Sequence, residues 1–333
     1  IEVIMSKFYH PEVMNDDYCF SGSGIYKSFG YDPTGPYESY NEYISQLPLN
    51  PSPEVFGMHD NANITCAQNE TFAMFDVLLS LQGRGSVSSG PSPEDQIAEI
   101  AKNIELQLPL QYNEEAIELT FPVTYEESMN TVLVQEVKRF NRLLQEMKAS
   151  LNDVQRALAG LVLMSGDLES VGDSLFNNRV PAVWEMFAYP SLKPLSAWVE
   201  DLIKRLKFLQ QWCDNGTPKA FWISGLFFPQ AFVTGTKQNY ARKRQAPIDT
   251  ISFNFPIKDE FKTDAADVVC GPENGCYMYG LFLEAARWNF RTHVLDDPLP
   301  KELYSAMPVI PLEPVQHRAL TKSGVYHCPV YKE

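Results

Sequence analysis

Residues 22–28 have the residue types of a phosphate-binding loop, in the order Gly-Ser-Gly-Ile-Tyr-Lys-Ser. A P-loop places four residues between its first glycine and a Gly-Lys pair, so that backbone N–H groups curl around the phosphates. Here Tyr26 stands directly before Lys27, where its side chain would block a close approach of the backbone. The spacing therefore predicts that this segment does not bind a nucleotide.

Two cysteines flank a possible turn. Cys270 and Cys276 enclose Gly-Pro-Glu-Asn-Gly, in which Asn-Gly is a strong hairpin signal, so the turn could bring the thiols together. A zinc site needs two more ligands at similar spacing, and the nearest are His327 and Cys328, far along the sequence. We expect structural cysteines, with a disulfide across the turn as the alternative in an oxidised sample. Six scattered cysteines indicate a reducing compartment.

Acid–base and nucleophilic chemistry has little support. None of the five histidines lies beside a nucleophile-elbow pattern, and His59-Asp60 is interpreted as a turn. Glu126-Glu127 precedes the strongest helical pattern, where carboxylates favour the positive end of the helix dipole. Glu284 and Arg287 are interpreted as a local ion pair. The sequence predicts no catalytic, cofactor-binding or metal-binding residue.

The composition, 44% hydrophobic and 21% charged over 333 residues, is that of a globular protein. The net charge of −15 argues against nucleic acid and anionic membrane surfaces, because phosphate contacts need clustered Lys and Arg. The compact basic cluster, residues 242–244 with Lys237, is interpreted as cations near a helix C-terminus. The sequence begins at Ile1 without Met or a signal-like block, so we expect a piece of a larger protein.

Helical periodicity dominates the first three quarters of the sequence. Apolar residues in steps of three and four predict one long amphipathic helix: Met129, Leu133, Val137, Phe140, Leu144, Met147, Leu151, Val154, Leu158 and Leu161. Shorter helices are predicted over residues 37–47, 71–81, 93–108, 167–176 and 198–212, and from Pro229 onward. Residues 83–94 are small, polar and Pro-containing, and they predict a mobile loop.

After Arg244 the period of the apolar pattern changes to two. Ile251, Phe253 and Phe255 alternate with polar residues, which is typical of a half-buried strand. Further strands are predicted over residues 267–270, 276–283, 307–312 and 325–331. We expect them to form an antiparallel sheet that closes toward a barrel.

Several segments resemble the C-terminal region of axonemal dynein heavy chains. The strongest match is residues 189–243, with Tyr-Pro-Ser-Leu-Lys-Pro-Leu, then Ala-Phe-Trp-Ile-Ser-Gly-Leu-Phe-Phe-Pro-Gln-Ala-Phe, then Thr-Gly-Thr-Lys-Gln-Asn-Tyr-Ala-Arg-Lys. Residues 47–71 resemble the small subdomain of the sixth AAA+ module, and residues 125–141 resemble the entry to the dynein C-terminal domain. Residues 280–288 and 328–332 resemble strands of its barrel.

The resemblance implies an α+β fold in three parts. Residues 1–112 would be the end of the sixth AAA+ module with its small helical subdomain. Residues 113–216 would be the helical part of the C-terminal domain, a bundle with one long helix, and residues 217–333 its antiparallel, β-barrel-like part. The sequence departs from the family in stopping at Glu333, where the family continues to a final strand, and in carrying Ala285 where family members often have Gly.

The resemblance also implies a function. The protein would be the non-catalytic C-terminal part of an ATP-driven, minus-end-directed microtubule motor of cilia or flagella, bracing the AAA+ ring and tuning its force and processivity. ATP and Mg would bind to other modules of the parent polypeptide, and this fragment would hold no cofactor and would not be an enzyme.

The partners that the resemblance implies are the other AAA+ modules of the same heavy chain, dynein intermediate and light chains, and neighbouring heavy chains. The microtubule would be contacted only through the distant stalk, and no nucleic acid or membrane would be bound. The implied location is the cytoplasm and cytoskeleton, in the axoneme of a cilium or flagellum.

Two other functions remain open from the residues. One is a helical-plus-β protein-interaction module of a non-motor scaffold. The other is an enzyme that uses the aromatic-rich region from Phe221 to Phe228 as a pocket wall. An upstream P-loop and coiled-coil stalk would favour the motor, whereas a pocket with a perturbed acid near Trp222 would favour the enzyme.

Overall fold

The computed structural model describes residues 5–6, 8–28, 36–49, 52–56, 58–81, 92–256, 265, 268 and 270–316. The strand predicted over residues 325–331 lies outside this range, as do most of the loop predicted over residues 83–94 and half of the strand predicted over residues 267–270. The protein divides into two compact units. The first comprises residues 1–87 and 282–306, and the second comprises residues 88–281 and 307–333.

The secondary structure is mixed, as the predicted α+β class requires. The helices are α1 (Tyr37–Gln46), α2 (Asn61–Leu81), α3 (Pro93–Gln107), α4 (Glu114–Thr120), α5 (Ser128–Leu158), α6 (Gly166–Phe176), α7 (Ala182–Glu185), α8 (Leu195–Asn215) and α9 (Pro229–Arg244). The strands are β1 (Ala220–Trp222), β2 (Ile251–Asn254), β3 (Cys276–Tyr279), β4 (Phe282–Glu284), β5 (Arg287–Asn289), β6 (Val294–Asp296), β7 (Tyr304–Ala306) and β8 (Ile310–Gln316). Among the described helices, none has both the length and the apolar character needed to cross a membrane.

The predicted long helix is confirmed as α5, which has 31 residues and spans about 46 Å. Its predicted apolar stripe is buried from Met129 to Val154. The helix ends at Leu158, and Gly160 follows it with a φ of +73°, a left-handed conformation that favours glycine. Leu161 therefore lies beyond the helix, and it is exposed.

The other helices of the second unit follow their sequence signals. Ser92 and Asp95 form a capping box at the start of α3, and Ser165 caps α6. The stripe of α8 that runs from Trp198 to Trp212 is buried. Gly216, with a φ of +81°, follows its last residue.

The strands of the second unit form one four-stranded sheet in the order β1-β3-β8-β2. β1 pairs with β3 in parallel, while β8 is antiparallel to both β3 and β2. The predicted antiparallel pairing is confirmed for β3, β8 and β2, whereas the predicted closure toward a barrel is wrong for the described residues, which form an open sheet with one parallel pair. The parallel pair arises because α9 and β2 intervene between β1 and β3, so the polypeptide returns to the same end of the sheet before β3 begins.

The predicted strand over residues 276–283 is divided into β3 and β4. Gly280 has a φ of +87°, and a Cβ there would lie 2.3 Å from Trp222 Cδ1, so the backbone turns where only glycine fits. The strand predicted over residues 307–312 is displaced toward the C-terminus, since β8 runs from Ile310 to Gln316.

The first unit contains α1, α2 and two short antiparallel ribbons, β4 with β7 and β5 with β6. The helix predicted over residues 71–81 is confirmed, but α2 begins ten residues earlier, at Asn61. Its apolar residues Phe72, Phe75 and Leu78 are exposed. The buried Asn61 amide donates to the carbonyl oxygens of Leu299 and Glu302, at 3.0 and 2.9 Å.

Candidate functional site

The aromatic-rich segment 220–232 lies at the centre of the second unit. It runs through β1, a 3-10 turn at Ile223–Gly225 and the first turn of α9, which begins at Pro229 as predicted. A Cβ at Gly225 would lie 2.4 Å from Cε3 of the Trp222 ring, so this turn requires glycine. The sequence thus folds the segment back on itself and places the rings of Phe221 and Phe232 in the core, while Phe228 stays partly exposed.

The rings of this segment contact rings from the helices on both sides. Phe221 lies 5.1 Å from Trp212 of α8 and 4.6 Å from Phe232 of α9, measured between ring centroids. Phe227 makes edge contacts with Phe140 of α5 at 5.4 Å and with Tyr189 at 6.0 Å. One hydrophobic core therefore includes residues of the helices and of the sheet.

A buried carboxylate anchors the same segment to the long helix. Glu136 of α5 is 1% exposed, and its two oxygens accept hydrogen bonds from the backbone N–H groups of Phe227 (2.5 Å) and Phe228 (2.9 Å). Burial raises the pKa of Glu136, while these hydrogen bonds and the guanidinium groups of Arg139 and Arg205 oppose the increase. Each oxygen accepts one of these hydrogen bonds, so this acid holds the backbone of the segment in place.

A second buried acid lies between two cations. Asp201 of α8 accepts from Lys193 Nζ and Arg205 Nε, both at 2.6 Å. Burial alone would raise the pKa of Asp201, but hydrogen bonds from Lys193 and Arg205 hold it below its usual value. The Arg205 guanidinium lies 3.8 Å from the centroid of the Tyr189 ring and 5.6 Å from that of Trp222. This cluster fixes the Tyr189–Lys193 loop and joins it to the aromatic core.

The first turn of α5 is tied to the last turns of α9. The Ser128 N–H donates to Asn239 Oδ1 at 2.9 Å, and Arg242 Nη1 donates to Ser128 Oγ at 2.7 Å. Glu127 caps α5 by accepting from the Met129 N–H at 2.9 Å. The helix-start role predicted for Glu126-Glu127 is confirmed for Glu127.

The basic cluster occupies the last turn of α9, as predicted. Lys243 Nζ donates to the Glu273 carbonyl and to Asn274 Oδ1, both at 3.0 Å, and so holds the turn over residues 271–275. Lys237 lies over the Phe253 ring at 5.3 Å. Lys243 and Lys237 therefore contact other groups of the second unit.

A cavity of about 310 Å³ adjoins this turn, and Lys219, Lys243 and Glu273 are among the residues that line it. Phe221 forms part of its wall, as the enzyme hypothesis requires. The acid with the raised pKa, Glu136, is not among its described lining residues.

The structure separates the two cysteines of the predicted turn. Cys276 is buried in β3 with its sulfur 3.6 Å from Thr236 Oγ1, whereas Cys270 is exposed, and both are free thiols. Burial raises the pKa of the Cys276 thiol to about 12, with the Thr236 contact opposing the increase. His327 and Cys328 lie outside the described residues, within which no group of His, Cys, Asp or Glu side chains could hold a metal ion.

The backbone of the loop over residues 22–28 donates a hydrogen bond to a glutamate side chain from another segment. The Ser23 N–H donates to Glu54 Oε1 at 3.1 Å, and Tyr26 Oη accepts from the Ser52 N–H at 2.8 Å. A carboxylate in the position that a phosphate would need repels a phosphate. His59 forms part of a turn, since its Nδ1 accepts from the Asn61 N–H at 3.2 Å.

The predicted ion pair between Glu284 and Arg287 is wrong, because Arg287 pairs with a different acid. Arg287 Nη2 lies 2.8 Å from Asp296 Oδ2, across the β5–β6 ribbon. Ala285 has a φ of +54°, which turns the backbone between β4 and β5. This turn gives Arg287 a carboxylate of the opposite strand instead of its sequence neighbour.

Comparison with known proteins identifies the family. A model of the C-terminal domain of the dynein heavy chain matches residues 68–333, and a model of its AAA lid domain matches residues 1–62. The protein belongs to the dynein heavy chain family. It is 49% identical over 329 residues to Dynein axonemal heavy chain 1 of Mus musculus and 45% identical to Dynein axonemal heavy chain 3 of the same species. Each alignment covers 99% of this sequence but only 8% of the relative, so it spans a small part of the length of these dynein heavy chains.

The resemblance found in the sequence is thus confirmed, whereas the two buried acids went unnoticed. Glu136 interrupts the apolar stripe of α5, being three residues after Leu133 and four before Phe140. Asp201 stands beside Leu202 and four residues before Arg205. A charged residue within an apolar stripe is a signal of a buried, partnered charge, and it could have found both.

Proposed function

We propose that this protein is the non-catalytic C-terminal part of a microtubule-based, ATP-driven motor heavy chain of cilia or flagella. In this proposal it braces the AAA+ ring of the parent polypeptide and tunes the force and processivity of the motor. Membership in the dynein heavy chain family supports the motor, and the names of the relatives, Dynein axonemal heavy chains 1 and 3, support the axoneme.

One observation carries the bracing role. The helices and the sheet of the second unit share one large core, and the buried Glu136 fixes the residues just before α9 to the third turn of α5. Closely packed interiors have low compressibility and transmit strain. A domain of this kind suits an element that transmits force better than one that binds a substrate, because its aromatic rings are packed against each other.

The proposal assigns ATP and Mg to other modules of the heavy chain. Its partners are those AAA+ modules, the intermediate and light chains, and neighbouring heavy chains, with the microtubule contacted through the distant stalk. The scaffold alternative has no observation in its favour now that the family is known.

The test uses the full heavy chain with Glu136→Ala, and Gln145→Ala at an exposed position of the same helix as the matched control. We expect the Glu136 variant to hydrolyse ATP but to stall at a lower force in an optical trap, while the control behaves as the wild type. Unchanged stall force and run length in the Glu136 variant would count against bracing. ATP turnover by the 333-residue polypeptide alone would contradict the non-catalytic assignment.

A further inference from the structure

The segment between α8 and β1 carries a threonine that is directly followed by a proline. Residues 216–219, Gly-Thr-Pro-Lys, have no regular secondary structure, and Thr217 is exposed. The Gly216 N–H donates to the Trp212 carbonyl at 3.0 Å, and its φ of +81° ends the helical course of the backbone. A residue that precedes proline is biased toward an extended conformation. Thr217 is therefore an exposed threonine in a short connection whose backbone favours extension.

Two serines of the described segments also precede a proline, but both are less accessible than Thr217. The Ser92 hydroxyl is engaged in the capping box of α3, where it donates to Asp95 Oδ2 at 2.8 Å. Ser52 is only partly exposed, and the buried Pro53 follows it in a 3-10 turn. The Thr217 hydroxyl has no hydrogen-bond partner among the described residues. Of the three hydroxyl groups, that of Thr217 alone is both exposed and unoccupied.

Thr217 lines the cavity of about 310 Å³ together with Lys219 and Lys243. A roughly spherical cavity of this volume is about 8 Å across, which equals the Debye length at physiological ionic strength, so charges on its opposite walls still interact. The Lys243 ammonium bonds two neutral acceptors, the Glu273 carbonyl and Asn274 Oδ1. An ammonium forms stronger hydrogen bonds with a charged acceptor than with a neutral one. An anionic group on Thr217 would therefore attract both lysines.

We propose that Thr217 is a phosphorylation site for a protein kinase that selects a proline after the acceptor residue, with ATP as the phosphoryl donor. The Thr217 hydroxyl oxygen attacks the γ-phosphorus of ATP, and the bond from this phosphorus to the β–γ bridging oxygen breaks. ADP leaves, and the hydroxyl proton passes to the catalytic base of the kinase. The phosphate carries a charge of about −1.5 to −2 and three acceptor oxygens, which Lys219 and Lys243 receive. This modification is independent of the proposed motor function.

Negative groups around the cavity oppose a phosphate, so the lysines decide how firmly it is held. The carboxylates of Glu127 and Glu273 line the same cavity, and the negative end of the α8 dipole lies two residues before Thr217. A phosphate on Thr217 therefore needs the ammonium groups, and it draws Lys243 away from the Glu273 carbonyl. The turn over residues 271–275, which precedes β3, then loses this tether. Phosphorylation thus acts on the junction between α9 and the sheet.

The first test incubates the full heavy chain with a proline-directed kinase and ATP, and it measures the phosphorylated fraction of each peptide by mass spectrometry. We expect Thr217 to be phosphorylated at least about tenfold more than Ser52 and Ser92, which are internal controls with the same following proline. Pro218→Ala should lower the phosphorylation of Thr217 by about tenfold or more. Phosphorylation of Thr217 at the level of the two serines, or equal phosphorylation with and without Pro218, would overturn the proposal.

A second measurement tests the contact with the lysines and leaves Thr217 and Pro218 unchanged. A phosphatase should remove the phosphate from Thr217 about fivefold faster in the Lys243→Met heavy chain than in the wild type, because the phosphate loses one of its cations. Lys237→Met, on the same helix but not among the described residues that line the cavity, is the matched control and should match the wild-type rate. Equal rates in Lys243→Met and the wild type would refute the role of the cavity.

Discussion

Glu136 offers the sharpest test of how the second unit is held together. Glu136→Ala removes the acceptor for the N–H groups of Phe227 and Phe228, two part-buried hydrogen bonds to a carboxylate that is itself only 1% exposed. Each buried donor left without a partner costs about 1–3 kcal/mol. The alanine variant no longer has to bury a carboxyl group, which offsets part of the cost of the two unpaired donors. We therefore expect a loss of about 2–5 kcal/mol in the free energy of unfolding. Glu136→Gln keeps the shape and one acceptor, and it should lose about half as much.

Urea unfolding followed by tryptophan fluorescence measures this loss, since Trp184, Trp198 and Trp212 are all buried in the affected core. Gln145→Ala, on the exposed face of the same helix, should change the free energy of unfolding by less than about 0.5 kcal/mol. If Glu136→Ala were as stable as this control, the carboxylate would not be anchoring the backbone.

The pH dependence gives a second, independent outcome. Because burial raises the pKa of Glu136 in the folded protein, the folded state binds this proton more readily than the unfolded state. Its stabilising contribution is therefore present at low pH and is lost as the pH rises through the raised pKa. The difference in unfolding free energy between wild type and Glu136→Gln should shrink from acidic to neutral pH. A difference that grows over this range would refute the assigned direction of the pKa shift.

Three further predictions concern other residues. Asp201→Asn should lower the free energy of unfolding by about 2–4 kcal/mol at pH 7, because Lys193 and Arg205 lose their carboxylate. Since the pKa of Asp201 is lowered in the folded protein, the stabilisation by this carboxylate is lost as the pH falls through the folded pKa. Equal losses for the variant at neutral and strongly acidic pH in urea unfolding would contradict this prediction. Gly275→Ala should lower the free energy of unfolding by about 3 kcal/mol or more, because φ is +84° and the new Cβ would lie 2.0 Å from the Leu312 carbonyl oxygen. Gly271→Ala, with open space around the new Cβ, is the control. Similar unfolding midpoints for the two variants would argue against the clash. Ala285→Gly should stabilise the first unit by about 0.5–1 kcal/mol, because relief of a left-handed alanine exceeds the entropy cost of glycine; a lower thermal midpoint would show that the turn is not strained.

Helices were predictable where one face alone is apolar. The stripe of α5 alternates by threes and fours over eight turns, so the existence of the helix and its extent to within three residues followed from the sequence. The start of α2 was not predictable in this way, because residues 61–70 carry Ile64 as their one large apolar residue and so form no apolar stripe. The apolar residues farther along α2 are exposed, so the pattern indicated the helix but not its burial.

Strand pairing was harder to predict from the sequence, because it depends on residues that are far apart along the polypeptide. Alternation at Ile251 and Phe253 predicted β2, whose burial pattern follows it. The position of β8 was misjudged because Pro311 and Pro314 lie within it, and proline cannot donate to a sheet ladder. The parallel pairing of β1 with β3 has no local signal.

The acids of the candidate site were the largest omission. Catalytic carboxylates are expected in pairs or beside histidines, whereas these two are single acids within helices and match neither pattern. Glu136 has its function through the N–H groups of Phe227 and Phe228, about ninety residues away. Such a partner is visible only once the polypeptide has folded.

The strand order has a consequence for biosynthesis. β8 lies between β3 and β2, so the sheet cannot be completed until Gln316 has been translated, about a hundred residues after the end of α8. At about 5–20 residues per second, the ribosome takes roughly 5–20 s over that interval. Until then the core lacks Ile310 and Leu312 of β8, which makes this the interval in which a chaperone would be needed.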